Sequence, residues 1–379
     1  MVRKRRISKV VRIGNVPIGG GNPIVVQSMV KCPTTDVKEV LNQLNLAKSV
    51  GAKVMRVAVP DKDAAIALGE IVKNSPLPLV ADIHFDYRLA LMAIDAGIHA
   101  LRINPGNILD SPQGNISRYE KLESVVKAAK SRNIPIRIGV NSGSLHPKYL
   151  EKYGYPTYEA LVESAIDEVR ILENMGFEDI KISVKSSNVE DMISAYMLLA
   201  EKVPYALHLG VTEAGSGLSG YVKSSIGIGT LLYHGIGDTI RVSLTSSVEE
   251  EIRVGYEILK ALGYEKRGVE LISCPTCGRI EVNLFDLVEK VKKEVEGVEE
   301  NITVAIMGCV VNGPGEARKA DIAVVGGKGK GIIYRKGKMI KVAPENQLID
   351  AFKEVLNQVI DEKRNMELGG VESELSSSV

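Results

Sequence analysis

The sequence predicts an α/β protein: an N-terminal (β/α)8 TIM barrel followed by a smaller α+β domain with clustered cysteines. Three observations predict it. Eight short runs rich in Val and Ile recur between residues 24 and 245, separated by segments of helical periodicity, in the order and size of a barrel. With no Trp, 4 Phe and 13 Tyr, the core must be aliphatic, as buried parallel strands are. After residue 265 the alternation stops, and three of the 4 cysteines follow. The barrel is placed over residues 1–265 and the second domain over 266–363. A disordered tail is expected over 364–379, where NMELGGVESELSSSV has too little apolar content to pack.

In chain order, VRIGNVPIGG reads as a hairpin turning at Gly14-Asn15 and closing the bottom of the barrel. The eight strands are IVVQSMV (24–30), VMRVAVP (54–60), PLVADIH (78–84), ALRINPG (100–106), IPIRIGVN (134–141), IKISVKSS (180–187), YALHLGVTE (205–213) and DTIRVSLT (238–245). Between them VKEVLNQLNLAKSVG, YEALVESAIDEVRILENMG and VEEEIRVGYEILKALG have helical periodicity, the last opened by Ser247 with Glu250 as a capping box. A doubly wound open sheet is the alternative, but its dinucleotide fingerprint is missing. The glycines of SSIGIGTLL and VGGKGKG do not stand in strand-GxGxxG-helix order. In the second domain VELISC (269–274) and NITVAIMGC (301–309) read as strands and VNLFDLVEKVKKEVEGV as an amphipathic helix. IAVVGG and GIIYRKGKMIKV add short strands, the latter turning at Lys336-Gly337, and NQLIDAFKEVLNQVIDEK is a closing helix.

Composition narrows the function. Lys and Arg number 48 against 47 Asp and Glu, so no overall field favours nucleic acid or an anionic membrane. No apolar run reaches the ~18 residues of a spanning helix, and MVRKRRISK lacks the apolar stretch of a signal peptide. The expectation is a soluble, cytoplasmic protein. Four cysteines are too few for a disulfide scaffold, so metal binding or redox chemistry is the better use of them.

In a barrel strand alternate residues face the axis, and enzymes of this fold keep their sites at the C-terminal strand ends. One parity collects Asp82 with His84, Arg102 with Asn104, Arg137 with Asn141, Ser183 with Lys185, His208 with Thr212, and Arg241 with Ser243 and Thr245. Arg56 sits similarly on the second strand. Arg56, Arg102, Arg137, Lys185 and Arg241, set against Asp82 and Glu213, form a positive cup in a chain that is neutral overall. Guanidinium forks suit phosphate oxygens, so the cup predicts an anionic substrate with more than one charge, and Asn104, Asn141 and Ser243 serve as neutral donors. Lys185 reads more simply as a phosphate ligand than as a Schiff-base lysine, and His84 and His208 read equally as structural or catalytic.

Cys274 and Cys277 form C-P-T-C, and Cys309 follows in MGCVVNGPGE. A structural zinc site would want a fourth Cys or His nearby, and no His lies after His234. Three thiolates suit a [4Fe-4S] cluster with an exchangeable fourth ligand, and Glu316 in the Gly-Pro-Gly-Glu turn is placed to provide it. Zinc stays open on spacing alone. Cys32 belongs to the barrel.

The motifs QSM, VADIHFDYRLAL, LRINPGNI, IRIGVNSGSL, IKISVKSS, HLGVTEAG, KSSIGIGTLL, GIGDTIRVSLT, ISCPTCGR and MGCVVNGPGEA run in order over about residues 5 to 345. Together they resemble the 4-hydroxy-3-methylbut-2-enyl diphosphate synthase family in its short bacterial form. The resemblance implies the penultimate step of the non-mevalonate isoprenoid route. There 2-C-methyl-D-erythritol 2,4-cyclodiphosphate is reductively opened and dehydrated, with electrons passed through a [4Fe-4S] cluster. It further implies Glu213 of TEAG as proton donor, Asp82 as an orienter, and ferredoxin or flavodoxin as electron donor. A head-to-tail homodimer, each cluster domain capping the partner's barrel, is also implied. Val30-Lys31-Cys32 departs from the small polar residues usual after QSM, so no binding role is carried over to that loop. Two rivals are a phosphosugar lyase or aldolase using Lys185 with zinc, and an iron-sulfur redox sensor. A sensor would not need the cations of the cup.

Overall fold

Parallel strands that read as continuous apolar runs must be covered on both faces, and the first unit achieves this by closing its sheet on itself. The computed structural model describes residues 4–84, 86–104, 118–311 and 313–376, and the chain divides into two units at residues 264 and 265. Phe85, residues 105–108 of the LRINPGNI motif and Asn312 of the MGCVVNGPGEA motif lie outside the described residues, as do residues 377–379.

The first unit opens with β1 (Val11–Ile13) and β2 (Val16–Ile18), an antiparallel hairpin whose Gly14 has φ +58°. β3 (Val25–Met29), α1 (Val37–Ser49), β4 (Val54–Ala58), α2 (Lys62–Asn74), β5 (Leu79–Asp82), α3 (Tyr87–Asp95), β6 (Ala100–Ile103) and α4 (Arg118–Ser131) follow. Then come β7 (Ile136–Asn141), α5 (Pro147–Tyr153), α6 (Tyr158–Asn174), β8 (Ile180–Lys185), α7 (Val189–Lys202), β9 (Ala206–Leu209), α8 (Gly217–Tyr233), β10 (Thr239–Ile240) and α9 (Val248–Ala261). Strands β3 to β10 form a closed parallel barrel in sequence order, which sets aside the open-sheet alternative. Val11, Ile13 and Ile18 of the hairpin pack on Val25, Val54, Val80, Ala100 and Ala206, sealing the N-terminal end with apolar contacts.

Two local readings differ in detail. The Ser247 cap forms, its hydroxyl accepting from Glu250 N at 3.2 Å, but the Glu250 carboxylate accepts from the Tyr221 hydroxyl instead of turning back to the cap. The eighth strand is expected over residues 238–245, yet only Thr239 and Ile240 pair with both neighbours. Beyond Arg241, whose N donates to Leu209 O, the chain bends until Thr245 N reaches Gly215 O, so the ladder cannot continue.

The second unit is a five-stranded sheet in the order β11 (Val269–Ser273), β12 (Ile302–Met307), β13 (Ile322–Gly327), β14 (Lys330–Arg335) and β15 (Lys338–Pro344). The first three strands are parallel and the last pairings antiparallel. α10 (Leu284–Val295) and α12 (Leu348–Ser376) bury Leu284, Leu287, Val291, Phe352, Val355 and Leu356 against Ile302, Val304 and Ile306. On the opposite face Ala305, Met307, Ala323 and Val325 of the sheet pack with Ala317 of the short α11 (Gly313–Ala317) and with Ala320 after it. α12 runs to Ser376, whereas the sequence reading has a disordered tail from 364. A helix already nucleated on the sheet needs no new nucleation to extend, and Glu and Leu favour its extension although Gly369 and Gly370 oppose it by about 1 kcal/mol each. Among the described residues no helix is long and apolar enough to cross a membrane.

Candidate active site

The register of β5 to β8 sets charged and polar residues of successive strands side by side: Asp82 with Arg102, Arg102 with Arg137, Arg137 with Lys181, and Asn141 with Lys185. Asp82 is the counterion at the centre. Arg102 Nη1 donates to Asp82 Oδ1 at 3.1 Å and reaches His84 Nε2 at 2.7 Å, while Arg56 Nε lies 3.5 Å from Asp82 Oδ2. Arg102 Nη2 donates to Gly139 O at 2.7 Å, and Asn104 Oδ1 accepts from Gly139 N at 3.1 Å. With its amide turned to satisfy its neighbours, Asn141 accepts from Arg102 Nη2 at 3.3 Å. The strands therefore bring Arg56, Asp82, His84, Arg102, Asn104 and Asn141 into one network.

Two glycines make room for the long side chains. A Cβ at Gly139 would stand 2.2 Å from Arg102 Nε, and one at Gly210 would stand 2.9 Å from Lys185 Nζ and 2.5 Å from Arg241 O. Neither position needs a left-handed backbone, so the demand is for space alone.

Burial and charge shape the electrostatics. Burial opposes ionisation of Asp82, but Arg56, Arg102 and Arg137 override it and hold the carboxyl well below the usual carboxylate range. Burial, followed by the neighbouring cations, pushes Arg137 and Lys185 well below their ordinary values, and Arg241 is lowered to about 10. Arg102 Nε, Arg137 Nε and Nη1, and Arg241 Nε are buried without hydrogen-bond partners. Buried cationic donors without partners are costly, so the cup carries an excess of positive charge that an anion would offset.

Of the remaining expected residues, Ser243 is half-buried on the segment after β10, next to Arg241 in the same parity. His208 is fully buried, with Nδ1 2.7 Å from Thr239 Oγ1 and Nε2 without a hydrogen-bond partner. Glu213 is exposed in the turn after β9 at φ +51°, and the structure does not join it to any arginine of the cup. Left-handed backbone at a non-glycine residue costs about 1–2 kcal/mol, a strain often retained at working sites. Two residues escaped the sequence reading. Lys181 is 2% exposed below Lys185, a parity that IKISVKSS already displayed. Glu251 is 1% exposed, yet it stands in the run Glu249-Glu250-Glu251, which reads as a solvated helix start.

In the second unit Cys274 and Cys309 follow the same ends of two adjacent parallel strands. Cys274 follows β11 and Cys309 follows β12, and the loop between Cys274 and Glu281 is tied at both ends: Cys274 N donates to Ile306 O at 3.0 Å and Glu281 N to Gly308 O at 2.9 Å. Cys277 is exposed, Cys274 half-buried and Cys309 buried, all as free thiols. Thr276 between the first two has φ +67°, an outlier for a β-branched residue. Cys274 borders a cavity of about 330 Å³ lined also by Thr276, Leu284, Phe285 and Val288. Glu316 on α11 is part-exposed, 3.8 Å from Lys319 Nζ. Among the described residues no three His, Cys, Asp or Glu converge as the ligands of one metal ion would. A polynuclear cluster takes one ligand per iron and so accepts a wider set. Two soft thiols on the tethered loop and a third after β12 are donors of the type such a cluster takes.

A closed parallel barrel with an arginine-rich mouth, followed by a unit presenting three thiols, defines a two-unit TIM-barrel protein built for an anionic ligand. Family models described as the GcpE TIM-barrel domain and the GcpE protein C-terminal domain match residues 8–256 and 270–358. The chain is 50% identical over 353 residues to the 4-hydroxy-3-methylbut-2-en-1-yl diphosphate synthase (flavodoxin) of Geobacter sulfurreducens, covering 93% of this chain and 98% of that one. It is 56% identical over 340 residues to the protein of the same name from Clostridium acetobutylicum, covering 90% and 95%. The chain belongs to the GcpE family, the 4-hydroxy-3-methylbut-2-en-1-yl diphosphate synthases.

Proposed function

We propose that this chain opens 2-C-methyl-D-erythritol 2,4-cyclodiphosphate reductively to 4-hydroxy-3-methylbut-2-enyl diphosphate, as an iron-sulfur oxidoreductase of isoprenoid precursor synthesis. The reaction takes up two electrons and two protons, breaks a ring C–O bond and releases one oxygen as water. One observation carries the reading: the barrel interior holds Arg56, Arg102, Arg137, Lys185 and Arg241 against few carboxylates, Asp82 facing Arg56 and Arg102 and Glu251 facing Arg241, with several donors unpaired.

In this reading the arginines and Lys185 bind the two phosphoryl groups, aided by Asn104, Asn141 and Ser243. Asp82 fixes Arg56 and Arg102 as their shared counterion. Glu213 holds the proton delivered as the oxygen leaves. Cys274, Cys277 and Cys309 would hold a [4Fe-4S] cluster, with Glu316 as its exchangeable fourth ligand. When bound, that cluster supplies single electrons handed on by a donor protein. The relatives named above carry flavodoxin in their names, so flavodoxin is the donor of choice here. A homodimer in which each thiol-bearing unit serves the partner's barrel completes the proposal, on the strength of the family resemblance.

The test is anaerobic turnover of the cyclic diphosphate by the iron-loaded protein with reduced flavodoxin. The allylic diphosphate is expected as product. Protein with full iron and labile sulfide that binds the substrate and yields no product would overturn the reading.

A further inference from the structure

We infer that Glu251 is a positioning residue for the cationic cup, acting from outside the barrel on Arg241. The inference deepens the reading of the mouth as a diphosphate site and rests on it. It begins from an anomaly of placement. Of three consecutive glutamates at the start of α9, Glu249 pairs with Arg253 at the surface and Glu250 meets Tyr221, but Glu251 is turned inward and is 1% exposed. A carboxylate removed from water this completely is stable only when its oxygens are matched by donors.

The donors come from both sides of the barrel's seam. Oε1 accepts from Leu244 N at 2.9 Å and from Lys31 Nζ at 2.9 Å. Oε2 accepts from Ser28 Oγ at 2.5 Å and faces Arg241 Nε at 3.8 Å. Ser28 belongs to β3 and Lys31 to the loop after it, whereas Arg241 and Leu244 belong to the segment after β10. Lys31 Nζ closes the same junction by donating to Leu244 O at 2.9 Å and Ser246 O at 2.5 Å.

This matters because the first and last strands are joined by only two ladder positions, Thr239 with Val25 and Ile240 with Val26. Arg241 and Ser243 start where that ladder ends. Past the ladder the segment is held by Arg241 N on Leu209 O, by Thr245 N on Gly215 O and by side chains, among which Glu251 touches both its backbone and the charge it carries. Arg241 Nε has no hydrogen-bond partner. The carboxylate therefore draws the Nε edge of the guanidinium towards α9 without consuming its donors. The Lys31 that departs from the usual residues after QSM takes part in this clamp, with all three ammonium contacts made to protein groups. It is a fastener of the seam and contributes no charge to the cup.

The test uses the iron-loaded protein and the Glu251→Gln, Arg241→Met and doubly substituted forms. Glu251→Gln keeps the shape and a carbonyl for Leu244 N but loses the charge facing Arg241. Its KM for the cyclic diphosphate should rise roughly tenfold with kcat little changed, as loss of one charge-assisted contact implies. Adding Glu251→Gln to Arg241→Met should raise KM no further, because the effect passes through Arg241. Additive effects in the double variant, or a lowered Tm with unchanged KM in Glu251→Gln, would reduce Glu251 to a structural residue and overturn the inference. Calorimetric binding of inorganic pyrophosphate to the same proteins separates the two readings. Weaker binding in Glu251→Gln by a protein without turnover would sustain the positioning role and overturn the activity, and undiminished binding with normal wild-type turnover would do the reverse.

Discussion

Arg102 Nη1 and Asp82 Oδ1 lie 3.1 Å apart, both nearly excluded from solvent, and the same carboxylate faces Arg56 at 3.5 Å. Asp82 therefore neutralises two buried guanidinium groups at once. Asp82→Asn should destabilise the protein by about 3 to 5 kcal/mol, the cost of leaving a buried charge without its partner. Added pyrophosphate should raise the Tm of the variant more than that of the parent, since it supplies the missing charge. The pH dependence has a definite sign. The folded carboxyl is held below its unfolded value, so its stabilisation is complete above about pH 3.9 and is lost only as pH falls through the folded value. Denaturant melts should then show the same deficit in Asp82→Asn at pH 6 as at pH 8.

Gly139 tests the cup by volume instead of charge. An Ala methyl carbon would stand 2.2 Å from Arg102 Nε and 2.8 Å from Nη2, so the guanidinium must leave its place. Gly139→Ala should weaken substrate binding by roughly 2 to 5 kcal/mol, as truncation of a buried charged contact does. Calorimetric titration with the cyclic diphosphate measures this, and iron content should be unchanged because Gly139 lies in the first unit. An unaltered affinity would show that Arg102 does not contact the ligand.

The barrel and the cup were legible in the sequence because both follow from alternation. Val and Ile runs mark strands, and the same period of two places Arg56, Asp82, Arg102, Arg137 and Lys185 on one face. What alternation does not carry was missed. Glu251 acts from a helix, where its burial depends on the angle at which α9 meets β3, and nothing in three consecutive glutamates distinguishes the inward one. The early end of β10 escaped for a related reason: the bend that takes Thr245 to Gly215 is a tertiary contact, while the local residues still favour a strand. Lys181 shares the parity of Lys185 but stands near the start of β8, away from the C-terminal strand ends where a site is expected.

Lys181 makes the next prediction. Its Nζ is buried without a hydrogen-bond partner, and burial, followed by the charge of Arg137, pushes the amine well below its ordinary value. The unfolded chain therefore binds a proton more readily than the folded one, and the penalty grows as pH falls below the unfolded value of about 10.4. Lys181→Met keeps the stem and removes the amine, so it should raise stability at pH 7 by roughly 1 to 3 kcal/mol. The gain should shrink towards pH 10, which denaturant melts across that range would show. A loss of stability in Lys181→Met would mean that the amine has a bound partner.

For the thiols, Cys274→Ser, Cys277→Ser and Cys309→Ser should each abolish the cluster, because a hydroxyl is a poor ligand for soft iron. Anaerobically purified parent protein is expected to carry about four irons and four sulfides per chain. Cys32→Ser should retain them, since Cys32 packs against the barrel core in the other unit. Stoichiometric zinc without labile sulfide in the parent would remove the basis for the ligand set.

The two glutamates assigned to different steps should separate by spectroscopy. Glu213 occupies a strained turn at φ +51° beyond β9, in the first unit, and is proposed to deliver a proton. Glu316 lies on α11 in the second unit and is proposed as the exchangeable ligand, a hard carboxylate weakly held by a soft cluster. Glu213→Gln should keep iron content, cluster spectrum and substrate affinity while turnover falls by ~10²- to 10⁴-fold, the usual effect of a missing general acid. Glu316→Gln should change the resting cluster spectrum, with the loss of activity following from that. Recording iron content and electronic spectra of both variants, with and without the cyclic diphosphate, distinguishes the roles. An intact spectrum in Glu316→Gln beside a damaged one in Glu213→Gln would exchange them, because only a group at the cluster can disturb it while the rest of the protein is unchanged.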